Sequence, residues 1–111
     1  MIYTSYFSNY RNFPSGARLI SISRETPKNF DGERFLKLAP DKGLLMLYKD
    51  GKVNQELYTE IFNKHLASLN KESIRLFLES RCTILLCYEK PNDFCHRHLV
   101  AQWLGKDVEE L

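Results

Sequence analysis

This chain contains no apolar run approaching the roughly 20 residues that cross a bilayer, so no membrane partner is expected. Its first residues, MIYTSYFSNYRNF, lack the charged start and apolar centre of a secretory signal. It has only three cysteines, an odd number, and none form a CxxC pair. That count fits poorly with a disulfide framework, and a reducing cytoplasm is the natural compartment. Net charge is only +2, too little to mark a nucleic-acid binder by itself, although a local basic patch is compatible with it. Internal repeats and low-complexity tracts are also missing.

What is present is an ordinary globular composition, 43% hydrophobic and 27% charged over 111 residues. That length supports one core, so residues 1–111 read as a single domain. Ile2 to Phe7 (IYTSYF) and Ala17 to Ser23 (ARLISIS) have the β-branched and aromatic character of strands, with Ser8 to Gly16 as a loop between them. Leu19 or Ile20, together with Ile22, should face a core, and Arg24 stands at the strand's C-terminal end, where open α/β sheets tend to bind ligands. Glu25 to Pro40 is irregular, broken by Pro27, Gly32 and Pro40 and anchored by Phe30, Phe35, Leu36 and Leu38. It carries Lys28, Arg34 and Lys37, which either cover a site or form a solvated basic surface.

Asp41 to Asp50 reads as a short helix capped by Asp41 and ended at Gly51, although LLMLY alone would also suit a strand. Asn54 caps a second helix in which Tyr58, Ile61, Phe62, His65, Leu66 and Leu69 recur at helical spacing. His65 on that stripe reads as a packing histidine, since no ligand cluster accompanies it. Asn70 caps a third helix, Lys71 to Arg81, burying Ile74, Phe77 and Leu78. Thr83 to Tyr88 is too apolar to be half exposed, which marks a central strand covered on both faces. A last helix, Phe94 to Leu104, buries Leu99, Val100, Trp103 and Leu104 and stops at Gly105. The expected fold is therefore α/β, a small single-domain three-layer sandwich with a short, mainly parallel sheet. One tension remains: the link between the first two strands is short, whereas parallel partners need a crossover of a dozen or more residues.

The chemistry concentrates at the strand–turn–helix junction of Thr83 to Leu104. With Asn92 or Asp93 as N-cap, Phe94, Cys95 and His96 would occupy a first turn whose backbone N–H groups lack helical partners. Those donors favour an anion, to which Arg97 and Arg24 can add clamps, with Lys37 as a further ligand-binding candidate. The same field would favour a Cys95 thiolate, with His96 or Glu89 as base, giving Cys95, His96 and Glu89 as catalytic candidates. Each also has a structural reading. Cys87 and Cys82 suit a core, His96 shares a face with Leu99, Val100 and Trp103, Arg97 could merely brace the turn against Glu89, and His98 should be exposed. The two-residue spacing of Cys95 and Arg97 is not a Cys-x5-Arg phosphate cradle. Zinc held by Cys87, Cys95, His96 and His98 ranks last, because those side chains diverge; no metal or cofactor is expected.

Leu85, Leu86, Cys87 and Glu89, followed by Cys95, His96, Arg97, His98, Leu99, Val100, Ala101 and Trp103, resemble the domain-of-unknown-function family 488. That family is marked by a Leu-Leu-Cys-x-Glu strand end and a Cys-His-Arg helix start. IYTSYF, the ISISR ending at Arg24 and the FLKLAP around Lys37 are similar to its shorter members. The resemblance implies a compact α/β domain with a polar site at the matched residues, and no reaction. Three functions are open on these residues. One is binding of a phosphate-containing ligand, a nucleotide or nucleic acid, at the junction. Another is a thiol or acid/base hydrolase or transferase acting on a nucleotide-like substrate. The last is a purely structural or interaction module. Whether the chain is an enzyme is left open by its residues, as is its oligomeric state.

Overall fold

The computed structural model describes residues 1–89 and 93–111. β-Branched and aromatic residues dominate β1 (Ile2–Tyr6), and the chain then tightens into a 3-10 turn over Phe7–Asn12 instead of running on as strand or open loop. The second strand, β2, is Arg18–Ser21, shorter than the apolar stretch around it; Ile22 N still donates to the Leu86 carbonyl at 3.0 Å, but the Ile22 carbonyl meets His96. Glu33–Arg34 adds a brief β3, and Leu36–Leu38 a second 3-10 turn. The helices α1 (Lys42–Lys49), α2 (Gln55–Ala67) and α3 (Lys71–Glu79) each begin where a side chain replaces a missing helical acceptor. The Asp41 carboxylate accepts from Gly43 N, Asn54 Oδ1 from Leu57 N and Asn70 Oδ1 from Ser73 N. Gly51, just past α1, adopts φ +73°, a conformation that side chains resist. β4 (Thr83–Cys87), α4 (His96–Leu104) and an edge strand β5 (Glu109–Glu110) complete the chain.

The sheet order is β3-β2-β4-β1-β5, with every neighbouring pair parallel. β4 lies between β1 and β2, pairing Ile2 with Thr83 on one side and Ile20 with Leu85 on the other. This resolves the short-link tension, because consecutive strands β1 and β2 never pair. The continuous hydrophobicity of β4 follows from the same position, since all five of its residues are buried.

Side-chain alternation assigns the two faces. Ile2, Ile20 and Leu85 share one core with Leu44 of α1, Tyr58, Phe62 and Leu66 of α2, Ile74 and Leu78 of α3, and Leu99, Val100 and Leu104 of α4. The helices α1, α2, α3 and α4 therefore lie on one face. The opposite face, bearing Leu19 and Leu86, meets a thin layer made of the first 3-10 turn and the 25–31 loop. The third layer of the sandwich is built from aromatic side chains rather than a helix. At the other end of the sheet Arg18 is nearly sealed, donating to Thr83 Oγ1 and to the Phe77 carbonyl, with its guanidinium 4.4 Å from the Phe77 ring centre. It ties the end of α3 to the sheet, and leaves the C-terminal ends of β1, β2 and β4 for the site.

Candidate functional site

Tyr6, Ser21 and Cys87 end their strands at the same edge of the sheet, and α4 starts above it. The helix begins at His96, two residues later than Phe94, and its N-cap is Cys95, whose side chain makes no capping bond. Asp93 is therefore not the cap; Asn92 lies outside the described residues. The physical reason is that His96 and Arg97 take internal partners, which anchor the helix start more strongly than a carboxylate on an exposed turn.

Arg97 is fully buried. Its Nε and Nη2 meet the Glu110 carboxylate at 2.9 to 3.3 Å, and its Nη1 donates to the Glu89 carbonyl and to Cys87 Sγ at 3.0 Å. Every edge of the guanidinium is thus spent inside the protein, so the expectation of an open anion clamp at Arg97 is corrected. The partner expected for it, Glu89, contributes only its backbone; the ionic partner is Glu110 of β5. Its alternative reading, a brace of the turn, matches this geometry.

His96 is also buried, and its Nε2 lies 2.6 Å from the Ile22 carbonyl. A carbonyl only accepts, so Nε2 carries the proton and Nδ1 keeps its lone pair. Burial, and after it the charge of Arg97, pulls the His96 pKa down to about 4 against the stabilising bond to Ile22. The ring is neutral at physiological pH, and Nδ1 faces Cys95 Sγ at 3.7 Å. Cys95 Sγ is in bonding contact with Cys87 Sγ, a pairing that the odd cysteine count makes a poor expectation, while Cys87 is buried as expected of a core residue. Cys87, Cys95 and His96 offer ligand atoms all within 4.8 Å of one another. The divergence that ranked zinc last does not hold for these three, because Cys95 precedes the helix in extended backbone and folds back onto the strand. His98, expected in solvent, is half buried, and its Nε2 is sealed without a hydrogen-bond partner among the described residues. Its pKa is lowered by that burial first and by Arg97 second.

In front of these groups lies a cleft of about 340 Å³ walled by Arg24, Lys42, Lys49, Glu25, Glu89 and His96, among others. A recess of about 150 Å³ adjoins it through Lys49, Glu89 and His96 and is floored by Tyr58, Phe94 and Cys95. Arg24 is positioned by its Nε donating to the Pro40 carbonyl at 2.7 Å. The Tyr58 phenol is held protonated well above its usual range, by burial and then by the nearby Glu89 charge. The structure thus brings Arg24, Glu89 and His96 to one cleft, with Cys95 on the recess beside it. Lys37 is absent from its walls; it is exposed on the second 3-10 turn, where its carbonyl accepts from His65 Nε2 at 2.7 Å. Lys42 and Lys49 take the place expected of it. Their signal was available: seven residues apart on one helix, they share a face with Leu45 and Met46, which also line the cleft.

The fold is of the α/β class, with a polar cleft at the carboxyl edge of a parallel sheet. A family model described as "Active DUF488-N3 subclade" matches residues 2–108, and the chain belongs to that DUF488 subclade. No curated protein and no solved structure matches the chain. Glu110, the ionic partner of Arg97, falls just outside the matched residues.

Proposed function

We propose that the chain binds a small phosphate-containing ligand of the nucleotide class in the cleft at the carboxyl edge of its sheet. The observation that carries this is the convergence of Arg24, Lys42 and Lys49 on one cleft against only Glu25 and Glu89, leaving an excess of one positive charge. Focused cationic charge in a concave, partly apolar wall is what an anion requires. The cleft's size suits a small molecule better than a nucleic-acid strand. No helix of the described residues is long and apolar enough to cross a membrane.

Thermal denaturation with inorganic phosphate, mononucleotides and oligonucleotides tests this reading. A ligand at 100 times its Kd adds ~2.7 kcal/mol, which in a domain of this size raises Tm by roughly 10 °C. Lys49→Ala and Arg24→Ala should each lower that shift. If none of these compounds moves Tm, the reading is wrong.

An enzymatic reading is favoured by a separate observation, the Glu89 and Tyr58 pair in the recess. The matched subclade is described as active, a word that names no reaction. Among the candidate bases, His96 is the weaker, because its ring has a pKa of about 4 and the Cys95 Sγ it faces is already bonded to Cys87 Sγ. Acid/base work on a nucleotide-like substrate therefore falls to Glu89, with Tyr58, whose phenol stays protonated, as a hydrogen-bond donor. Glu89→Gln should abolish turnover while leaving the phosphate-induced Tm shift in place; loss of both together would mean that Glu89 only shapes the cleft.

A further inference from the structure

On the opposite face of the sheet, beneath the thin third layer, lies a second cavity of about 470 Å³ that nothing above employs. Its walls are rings and aliphatic groups, chiefly Phe7, Tyr10, Phe13, Phe30, Leu86 and Tyr88. Phe7 holds Phe30 and Tyr88 edge-on, with ring centres 5.3 and 4.9 Å away, so the walls are fixed by packing. Two of the rings remain largely in water, Tyr10 at 61% and Tyr88 at 47% exposure. Polar groups stand beside this apolar wall: the Asn29 amide, the Asp31 carboxylate and the Ser8 hydroxyl. Flat apolar walls with a few hydrogen-bonding groups suit a planar, polar-edged heteroaromatic ring.

The two cavities are neighbours. Tyr88 lines both, and the loop that supplies Arg24 and Glu25 to the cleft supplies Pro27, Asn29 and Phe30 to the aromatic cavity. We propose that one ligand spans them, a nucleotide whose base enters the aromatic cavity while its phosphate meets Arg24, Lys42 and Lys49. Tyr88, at the wall between them, packs against the sugar. This inference rests on the phosphate reading of the cleft and adds the base-recognising half.

Isothermal titration of the full chain with AMP, GMP, CMP, UMP, ribose 5-phosphate and inorganic phosphate tests it, using Tyr10→Ala and Lys49→Ala. Tyr10 is exposed enough that its loss leaves folding intact, which an unchanged Tm of the free variant verifies. Stacking of a base on an aromatic side chain predicts that at least one mononucleotide binds at least about fivefold more tightly than ribose 5-phosphate. Tyr10→Ala should erase that advantage without changing ribose 5-phosphate, and Lys49→Ala should weaken every phosphate compound. Equal affinity for nucleotides and ribose 5-phosphate, indifferent to Tyr10→Ala, overturns the spanning ligand and leaves the phosphate cleft standing. Nucleotide binding that responds to Tyr10 but not to Lys49 overturns it as well, since the ligand would then not reach the cleft. If no compound binds, both readings fall.

Discussion

The buried Arg97 makes a strong demand on a residue at the far end of the chain. Glu110 accepts from Arg97 Nε and Nη2, and its Oε1 also accepts from Thr4 Oγ1 at 2.6 Å. Glu110→Gln removes the charge that compensates a guanidinium with no access to water. Removing one partner of a buried ion pair costs about 3–5 kcal/mol. Glu110 itself keeps 29% exposure, so water can enter on its side, and the expected loss is about 2–4 kcal/mol. Urea unfolding followed by circular dichroism would register it as a lower midpoint with an unchanged slope. Glu110→Asp should recover part of the loss, as it restores the charge at a shorter reach. Because Glu110 does not wall the cleft, ligand affinity measured on the folded fraction should stay at the wild-type value. A loss below about 1 kcal/mol, the level of a surface pair, would refute the claim that this contact holds the start of α4.

His96 sets a pH dependence. Its folded pKa of about 4 lies below its ordinary value of 6.5, so the unfolded chain binds the extra proton between those values. Stability should therefore rise from pH 4 to 6.5, by about 3 kcal/mol in all, and hold its full value above that. His96→Gln should flatten this part of a urea-stability profile, and a variant profile parallel to the wild type would contradict the assignment. Oxidised protein should have two fewer hydrogens by mass and only one alkylatable thiol, Cys82, whereas three labelled cysteines after oxidation would separate Cys87 from Cys95. Asn54→Ala deletes the acceptor for Leu57 N and should cost about 1 kcal/mol, read from thermal melts. No change would mean that water replaces the cap freely.

Local patterns carried most of the elements. Asp41, Asn54 and Asn70 cap helices as their sequence contexts indicate, because a capping bond spans only two or three residues. The buried run at Thr83–Cys87 likewise announced a central strand, since only a strand covered on both sides tolerates such a composition. Long-range choices were less visible. The two-residue β5 has no periodicity of its own and exists through pairing with Tyr3 and Thr4. Its Glu110 therefore could not be foreseen as the counterion of Arg97, 13 residues away.

The same distinction explains the candidate site. The Cys-His-Arg cluster marked the right junction, yet sequence adjacency suggested that all three side chains served one ligand. Cys95 is extended while His96 and Arg97 are helical, and this break in backbone directs the three to different tasks. Arg97 turns into the protein to hold β4 and β5, His96 closes the cleft floor against Ile22, and Cys95 folds back onto Cys87. The cations left facing the cleft come instead from Arg24 and from α1, a helix whose own pattern suited a strand equally well. A motif of basic and reactive residues can therefore build the floor of a site while its ligand contacts are supplied by less conspicuous neighbours. For this chain, variants of Lys42 and Lys49 should test binding more cleanly than Arg97→Ala, whose first effect is to leave Glu110 without its cation and the Glu89 carbonyl without the Arg97 donor.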